Sequence, residues 1–141
     1  MGSRVVLDTG PLVALIDRRD PFHAWAANEV RLLKPPFLTC EAVIAESLFL
    51  LQNVHGGSTH VTGLMSDGYV RLDFHLDAHL VPVAELIEKY SDVPMSLADA
   101  CLVRMSELHD RARVFTLDSD FKRYRRHGRQ AIPLIIPGPT R

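Results

Sequence analysis

The stretch RVVLDTGPLVALI, residues 4–16, constrains this chain more than any other. Val5, Val6 and Leu7 form an apolar run without polar alternation, the pattern of a strand buried on both faces. Asp8 interrupts the run, and Thr9-Gly10-Pro11 turns the chain. Pro11 suits the first turn of a helix, and Leu12, Val13, Leu15 and Ile16 give that helix an apolar side to about Asp17. A doubly buried strand leading straight into a helix is the opening of a mostly parallel sheet with helices on its faces. Ligands of such sheets bind beyond the carboxyl ends of the strands, near the point where strand order reverses. Asp8 stands at such an end.

The alternation continues along the chain. A helix over about 20–33, restarted by Asp20-Pro21, stops at Pro35-Pro36, and residues 37–39 read as a strand. An apolar helix over 41–53 ends before Gly56-Gly57, and Ser58 caps another that ends near Gly68. Residues 69–74 alternate, placing Val70, Leu72 and Phe74 on one face of a half-exposed strand. A helix to Tyr90 follows, kinked or started by Pro82, then a helix from Ser96 to about His109 and a strand over 114–117. The last strand spans 131–136, and Pro133 within it argues for a sheet edge. The expected fold is a three-layer α/β/α sandwich around a central, mostly parallel sheet.

With 141 residues, the chain is expected to be one domain over 1–141, long enough to bury a core unaided. No apolar run approaches the ~20 residues of a membrane span. Cys40 and Cys101 lie in apolar surroundings without metal-ligand spacing and read as reduced core residues, so a cytoplasmic location is expected. The formal net charge is −1, so any attraction to nucleic acid must be local. KRYRRHGR offers it: Lys122, Arg123, Arg125, Arg126 and Arg129 surround Tyr124 and can neutralise phosphates. The plainer alternative is a solvated helix face before a loop.

Several acids stand in unexpected places. Glu46 has Ala42, Val43, Phe49 and Leu50 as helical neighbours, an apolar face on which a carboxylate needs a partner or a raised pKa. Asp99 with Ser96 has the S-x-x-D form of a capping box, yet an acid in the first turn also faces beyond the helix end. Asp118 falls at the end of the 114–117 strand, with Thr116 and Asp120 on the same side if the extended geometry continues; it can equally cap a short helix near Ser119. Acids that converge on one sheet edge repel, and hard cations such as Mg²⁺ or Mn²⁺, which prefer oxygen ligands, relieve the repulsion. Such a site suits phosphodiester hydrolysis.

VVLDTGPLVAL, AVIAESLFLL, YSDVPMSLADACLV and VFTLDSDF, in this order, resemble the four blocks of a PIN domain, closest to the small VapC-type toxins of toxin–antitoxin systems. The resemblance runs over about residues 4–136. It implies a metal-dependent endoribonuclease in which Asp8, Glu46, Asp99 and Asp118 match the catalytic acidic quartet. Asp8, Asp99, Asp118 and the more variable acid Asp120 would ligate Mg²⁺ or Mn²⁺, and Thr116 matches a supporting hydroxyl. RNA as substrate, a homodimer and a cognate antitoxin are implied as partners, and no membrane. The alternative is a non-catalytic RNA-binding or regulatory PIN module without an antitoxin. Gly10, where the family often has a small polar residue, and Pro82, inside a helix usually unbroken, depart from the pattern.

Other chemistries fit less well. A phosphatase of the haloacid dehalogenase type needs a second Asp where this chain has Gly10. HLDAH, residues 75–79, lacks the Glu that follows the first His in a zinc protease helix.

Overall fold

The computed structural model describes residues 4–138. The strands are β1 (Val5–Leu7), β2 (Phe37–Thr39), β3 (Val70–Leu72), β4 (Arg113–Phe115), β5 (Arg125–Arg126), β6 (Gln130–Ala131) and β7 (Leu134–Ile135). Five of them form one sheet in the order β3-β2-β1-β4-β7, and every pairing in it is parallel. The order reverses between β1 and β4, so the ligand-binding position of an open parallel sheet lies beyond the ends of those two strands.

The helices are α1 (Thr9–Ile16), α2 (His23–Leu32), α3 (Glu41–Leu50), α4 (Gly57–Ser66), α5 (Leu80–Lys89) and α6 (Leu97–Leu108). Alternation along the strands splits the core in two. Val6, Leu38 and Val114 pack with Val83 of α5 and with Leu102, Val103 and Met105 of α6. Val5, Leu7, Phe37 and Phe115 face the other way, against Leu12 and Ala14 of α1, Ala26 of α2 and Val61 of α4. The three-layer α/β/α expectation holds. The near-continuous apolar run of β1 follows from burial on both sides. The strand expected over 131–136 is split: Ala131 belongs to β6, β7 keeps only Leu134–Ile135 at the sheet edge, and Pro133 lies between them, its carbonyl accepting from Val114 N–H at 2.9 Å. Pro82 falls in the first turn of α5, where its missing N–H costs nothing, so it marks the helix start rather than a kink.

Two further expectations are corrected. Val70, Leu72 and Phe74 do not share a buried face: Val70 joins the α1 side, Leu72 is exposed, and Phe74 enters the α6 side. β3 ends at Leu72, so the alternation does not carry on to Phe74. The basic run is not a helix face. A 3₁₀ turn over Ser119–Lys122 leads into an antiparallel hairpin of β5 and β6, which reverses through His127 and Gly128 at φ 51° and 80°.

Within that hairpin the arginines divide. Arg126 donates to the carbonyls of Ser106 and Asp110, both at 3.2 Å, and so satisfies orphan carbonyls at the end of α6. Arg125 donates to the carbonyls of Lys122 at 2.8 Å and Tyr124 at 3.0 Å. Lys122, Arg123 and Arg129 remain exposed. Arg126→Ala is therefore expected to lower stability by about 1–2 kcal/mol, whereas Arg129→Ala melts like wild type. Thermal melting of both variants checks this; a wild-type melt for Arg126→Ala would remove the structural role of its guanidinium.

Candidate active site

Asp8 follows β1 and remains in its ladder, its backbone N–H donating to the Phe115 carbonyl at 3.0 Å. Its extended backbone lets the side chain cap α1, and Oδ1 accepts the Thr9 N–H at 2.7 Å. Oδ2 accepts the Thr116 hydroxyl at 2.6 Å, and the same hydroxyl accepts the Asp118 N–H at 2.9 Å. One buried hydroxyl thus ties two acids together across the point where strand order reverses. Asp8 is itself buried, which pushes its carboxyl up to about 6 against the lowering effect of the bonds from Thr116 and Thr9; Asp99 and Glu46 add repulsion.

Asp99 does two things at once. It completes a capping box on α6: Ser96 Oγ accepts the Asp99 N–H at 3.0 Å, and Asp99 Oδ2 accepts the Ser96 N–H at 3.3 Å. The Tyr124 hydroxyl donates to the same Oδ2 at 3.1 Å, which leaves Oδ1 for a ligand. The carboxyl of Asp99 is raised by partial burial, with repulsion from Asp118 added. Asp118 caps the following 3₁₀ turn, its Oδ1 accepting the Asp120 N–H at 2.9 Å. For both residues the capping and pocket readings hold together, because a carboxylate has two oxygens.

A pocket of about 450 Å³ at this sheet edge is lined by Asp8, Glu46, Asp99 and Asp118, with Leu50 and Leu117 among its apolar walls. The four carboxylates come from the residue after β1, from α3, from α6 and from the turn after β4. A family model described as the PIN domain matches residues 5–127 of the chain. The chain belongs to the PIN domain family. Among solved structures it is similar to the Mycobacterium tuberculosis VapC20 toxin, described as cleaving the sarcin-ricin loop. The two share 19% identity at a TM-score of 0.69, with 82% of this chain and 91% of that one covered. No curated protein is recognisably similar in sequence.

The PIN domain also corrects details of the sequence reading. Glu46 is not on a buried face. Only Val43, Ile44 and Ser47 of α3 are buried, while Phe49 and Leu50 are 66% and 52% exposed. Glu46 is exposed where it lines the pocket. Asp120 stands outside the pocket lining; its Oδ1 lies 4.0 Å from Arg123. None of the five basic side chains lines the pocket.

Gly10 has a local reason. A Cβ there would come within 3.1 Å of the Leu117 side chain, so in this PIN domain Leu117 fills the space that a polar side chain would need. Tyr124 was not legible as a site residue inside the basic run. It is fully buried, edge-on to Phe121 and Tyr90 with ring centroids 5.1 Å apart in each pair, and its hydroxyl reaches Asp99. Its spacing of three from Phe121 was the only available signal.

The donor set tests the metal expectation. The pocket offers carboxylate and hydroxyl oxygens, without sulfur or imidazole, which suits Mg²⁺ or Mn²⁺. Among the described residues no group of three acid, histidine or cysteine side chains is placed to hold a metal ion. The oxygen donors suit a hard cation by their chemistry.

Proposed function

We propose that this PIN domain is a metal-dependent endoribonuclease and the toxin of a toxin–antitoxin pair. The observation that supports it most is Asp8, a buried carboxylate held by Thr116 and pressed by Asp99 and Glu46 at the end of β1. Such an acid at a strand end is costly without a cation to share.

In this reading Asp8, Asp99 and Asp118 hold Mg²⁺ or Mn²⁺, with Asp120 at the rim as a further acid. When bound, the cation supplies charge stabilisation for phosphodiester cleavage and acidifies water. Glu46, at the mouth, orients the attacking water. Thr116 fixes Asp8 and, through the Asp118 N–H, the strand end that carries Asp118. Lys122, Arg123 and Arg129 hold substrate phosphates, while Arg125 and Arg126 fix the hairpin that presents Arg129. Exposed Phe49, Leu50 and Leu97 beside the acids suit cover by a protein partner, an antitoxin or a second copy in a homodimer. Among the described residues no helix is long and apolar enough to cross a membrane.

The test is cleavage of single-stranded RNA by the purified chain. Cutting is expected with Mn²⁺ or Mg²⁺ and is expected to stop in EDTA. Undiminished cutting in EDTA refutes the metal role. RNA binding without cutting in Mn²⁺ replaces the enzyme with a non-catalytic RNA-binding module.

A further inference from the structure

Tyr124 is the one residue of the basic run that is wholly buried. The nuclease reading gives it no task. Its ring stands edge-on to Phe121 and to Tyr90. Its backbone is held as well: the Tyr124 N–H donates to the Asp120 carbonyl at 3.2 Å, and the Arg125 N–H donates to the Tyr90 hydroxyl at 2.9 Å. The ring is therefore fixed from both sides. A phenylalanine would fill the same place without a polar atom to satisfy, whereas a buried phenol needs a partner. The partner is Asp99 Oδ2, at 3.1 Å, and Asp99 lines the acidic pocket.

We propose that Tyr124 is a positioning residue for the cation site: its hydroxyl holds Asp99 by Oδ2 and so presents Oδ1 to the metal. This role rests on the cation reading of the acidic pocket. Two donors meet on Oδ2, the Tyr124 hydroxyl and, at 3.3 Å, the Ser96 N–H of the capping box. The Ser96 bond is the longer of the two and ties the carboxyl only to its own helix. The last torsion of an aspartate is broad, so a carboxylate held by one long bond can turn either oxygen outward. The Tyr124 bond comes from a packed ring 25 residues further along the chain and removes that freedom. A ligand whose orientation is already fixed has less order left to lose when a metal binds. Partners of this kind commonly contribute about 10–100-fold in metal affinity. Tyr124 also stands next to exposed Arg123 and two residues from exposed Lys122, so the segment that offers cations to RNA is pinned to a pocket acid.

The test is direct Mn²⁺ titration of the full chain, with free Mn²⁺ read from its six-line paramagnetic resonance signal. Tyr124→Phe, which deletes one oxygen, is expected to bind Mn²⁺ about tenfold more weakly than wild type. Tyr90→Phe deletes a phenol oxygen from the same aromatic cluster without touching Asp99, and is expected to bind as wild type does. Cleavage by Tyr124→Phe is expected to fall by a similar factor at limiting Mn²⁺ and to recover in excess, with the KM for RNA unchanged. Equal Mn²⁺ affinity in wild type and Tyr124→Phe overturns the proposal and leaves the cation reading standing. Equal weakening in both Phe variants also overturns it, because the loss is then a general loosening of the cluster. A wild type that takes up no Mn²⁺ overturns the cation reading and this role together. Weaker Mn²⁺ binding by Tyr124→Phe alone, in a chain whose wild type cuts no RNA, upholds the role and removes the nuclease. If Tyr124→Phe fails to fold, wild type labelled with fluorotyrosine decides. The chain has three tyrosines, and Tyr69→Phe and Tyr90→Phe assign their fluorine signals. Saturating Mg²⁺ is expected to shift the Tyr124 signal and leave that of Tyr69 in place; a Tyr124 signal that does not move overturns the proposal.

Discussion

Asp8→Asn is expected to cut RNA at least on the order of a thousandfold more slowly than wild type at pH 8, and yet to melt higher when metal-free. The loss of rate follows from removing the central charge of the acid set. The gain in stability follows from burial. The Asp8 carboxyl titrates near 6 in the folded chain against an ordinary 3.8, so the folded state binds its proton more tightly than the unfolded state does. Its contribution is most favourable below the unfolded value and is lost as pH rises through about 6. Above that the buried charge costs about 3 kcal/mol. Asparagine carries no charge and keeps an oxygen for the Thr9 N–H, but it disturbs the Thr116 bond at a cost of about 1 kcal/mol. The variant should melt above wild type at pH 8, and the advantage should vanish or reverse by pH 4. Melting curves in EDTA across this range decide the matter. A variant that melts lower at every pH would show that burial puts no cost on the Asp8 charge, and would remove the main support for a cation site. Added Mn²⁺ should stabilise wild type and move the variant far less.

Thr116→Val carries the second large effect. Valine matches threonine in shape but deletes the hydroxyl that donates to Asp8 and accepts from Asp118 N–H. A buried acceptor and a half-buried donor lose their partner together, which should cost about 1–3 kcal/mol of stability. Cleavage should fall about 10–100-fold, the usual effect of losing a group that orients a metal ligand. The Thr116 bond holds the Asp8 carboxyl down, so its loss should move the acid limb of the metal-free stability profile to higher pH. Thr116→Ser retains the hydroxyl and should recover most of both effects. Equal losses in the Val and Ser variants would mean that Thr116 matters only for packing.

Much of this chain was legible because it depends on local chemistry. The doubly apolar β1 and the Ser96 capping box are decided by neighbours in sequence, and each stands where sequence reasoning puts it; the turn expected over Thr9-Gly10-Pro11 is instead the first turn of α1, which begins directly after Asp8. Asp8, Asp99 and Asp118 could be picked out because an acid that ends a strand or opens a helix has few other uses. Fates that depend on contacts distant in sequence were not legible. Arg125 and Arg126 look like phosphate ligands until the chain folds: Arg126 then donates to carbonyls at and just beyond the end of α6, and Arg125 to carbonyls of the basic run itself. Glu46 looks buried by its neighbours until α3 turns that side to water.

The sequence by itself determined that strands would alternate with helices and that acids would cluster at the carboxyl ends of strands, since periodicity and capping act over a few residues. Tertiary structure alone decided which acids meet. The strand order β3-β2-β1-β4-β7 sets the ends of β1 and β4 side by side although more than a hundred residues separate Asp8 from Thr116. The same folding brings Cys40 and Cys101 into one cavity and the Tyr124 hydroxyl onto Asp99. These contacts are set by how sheet and helices pack, and packing depends on every layer at once, so no local pattern in the chain encodes them.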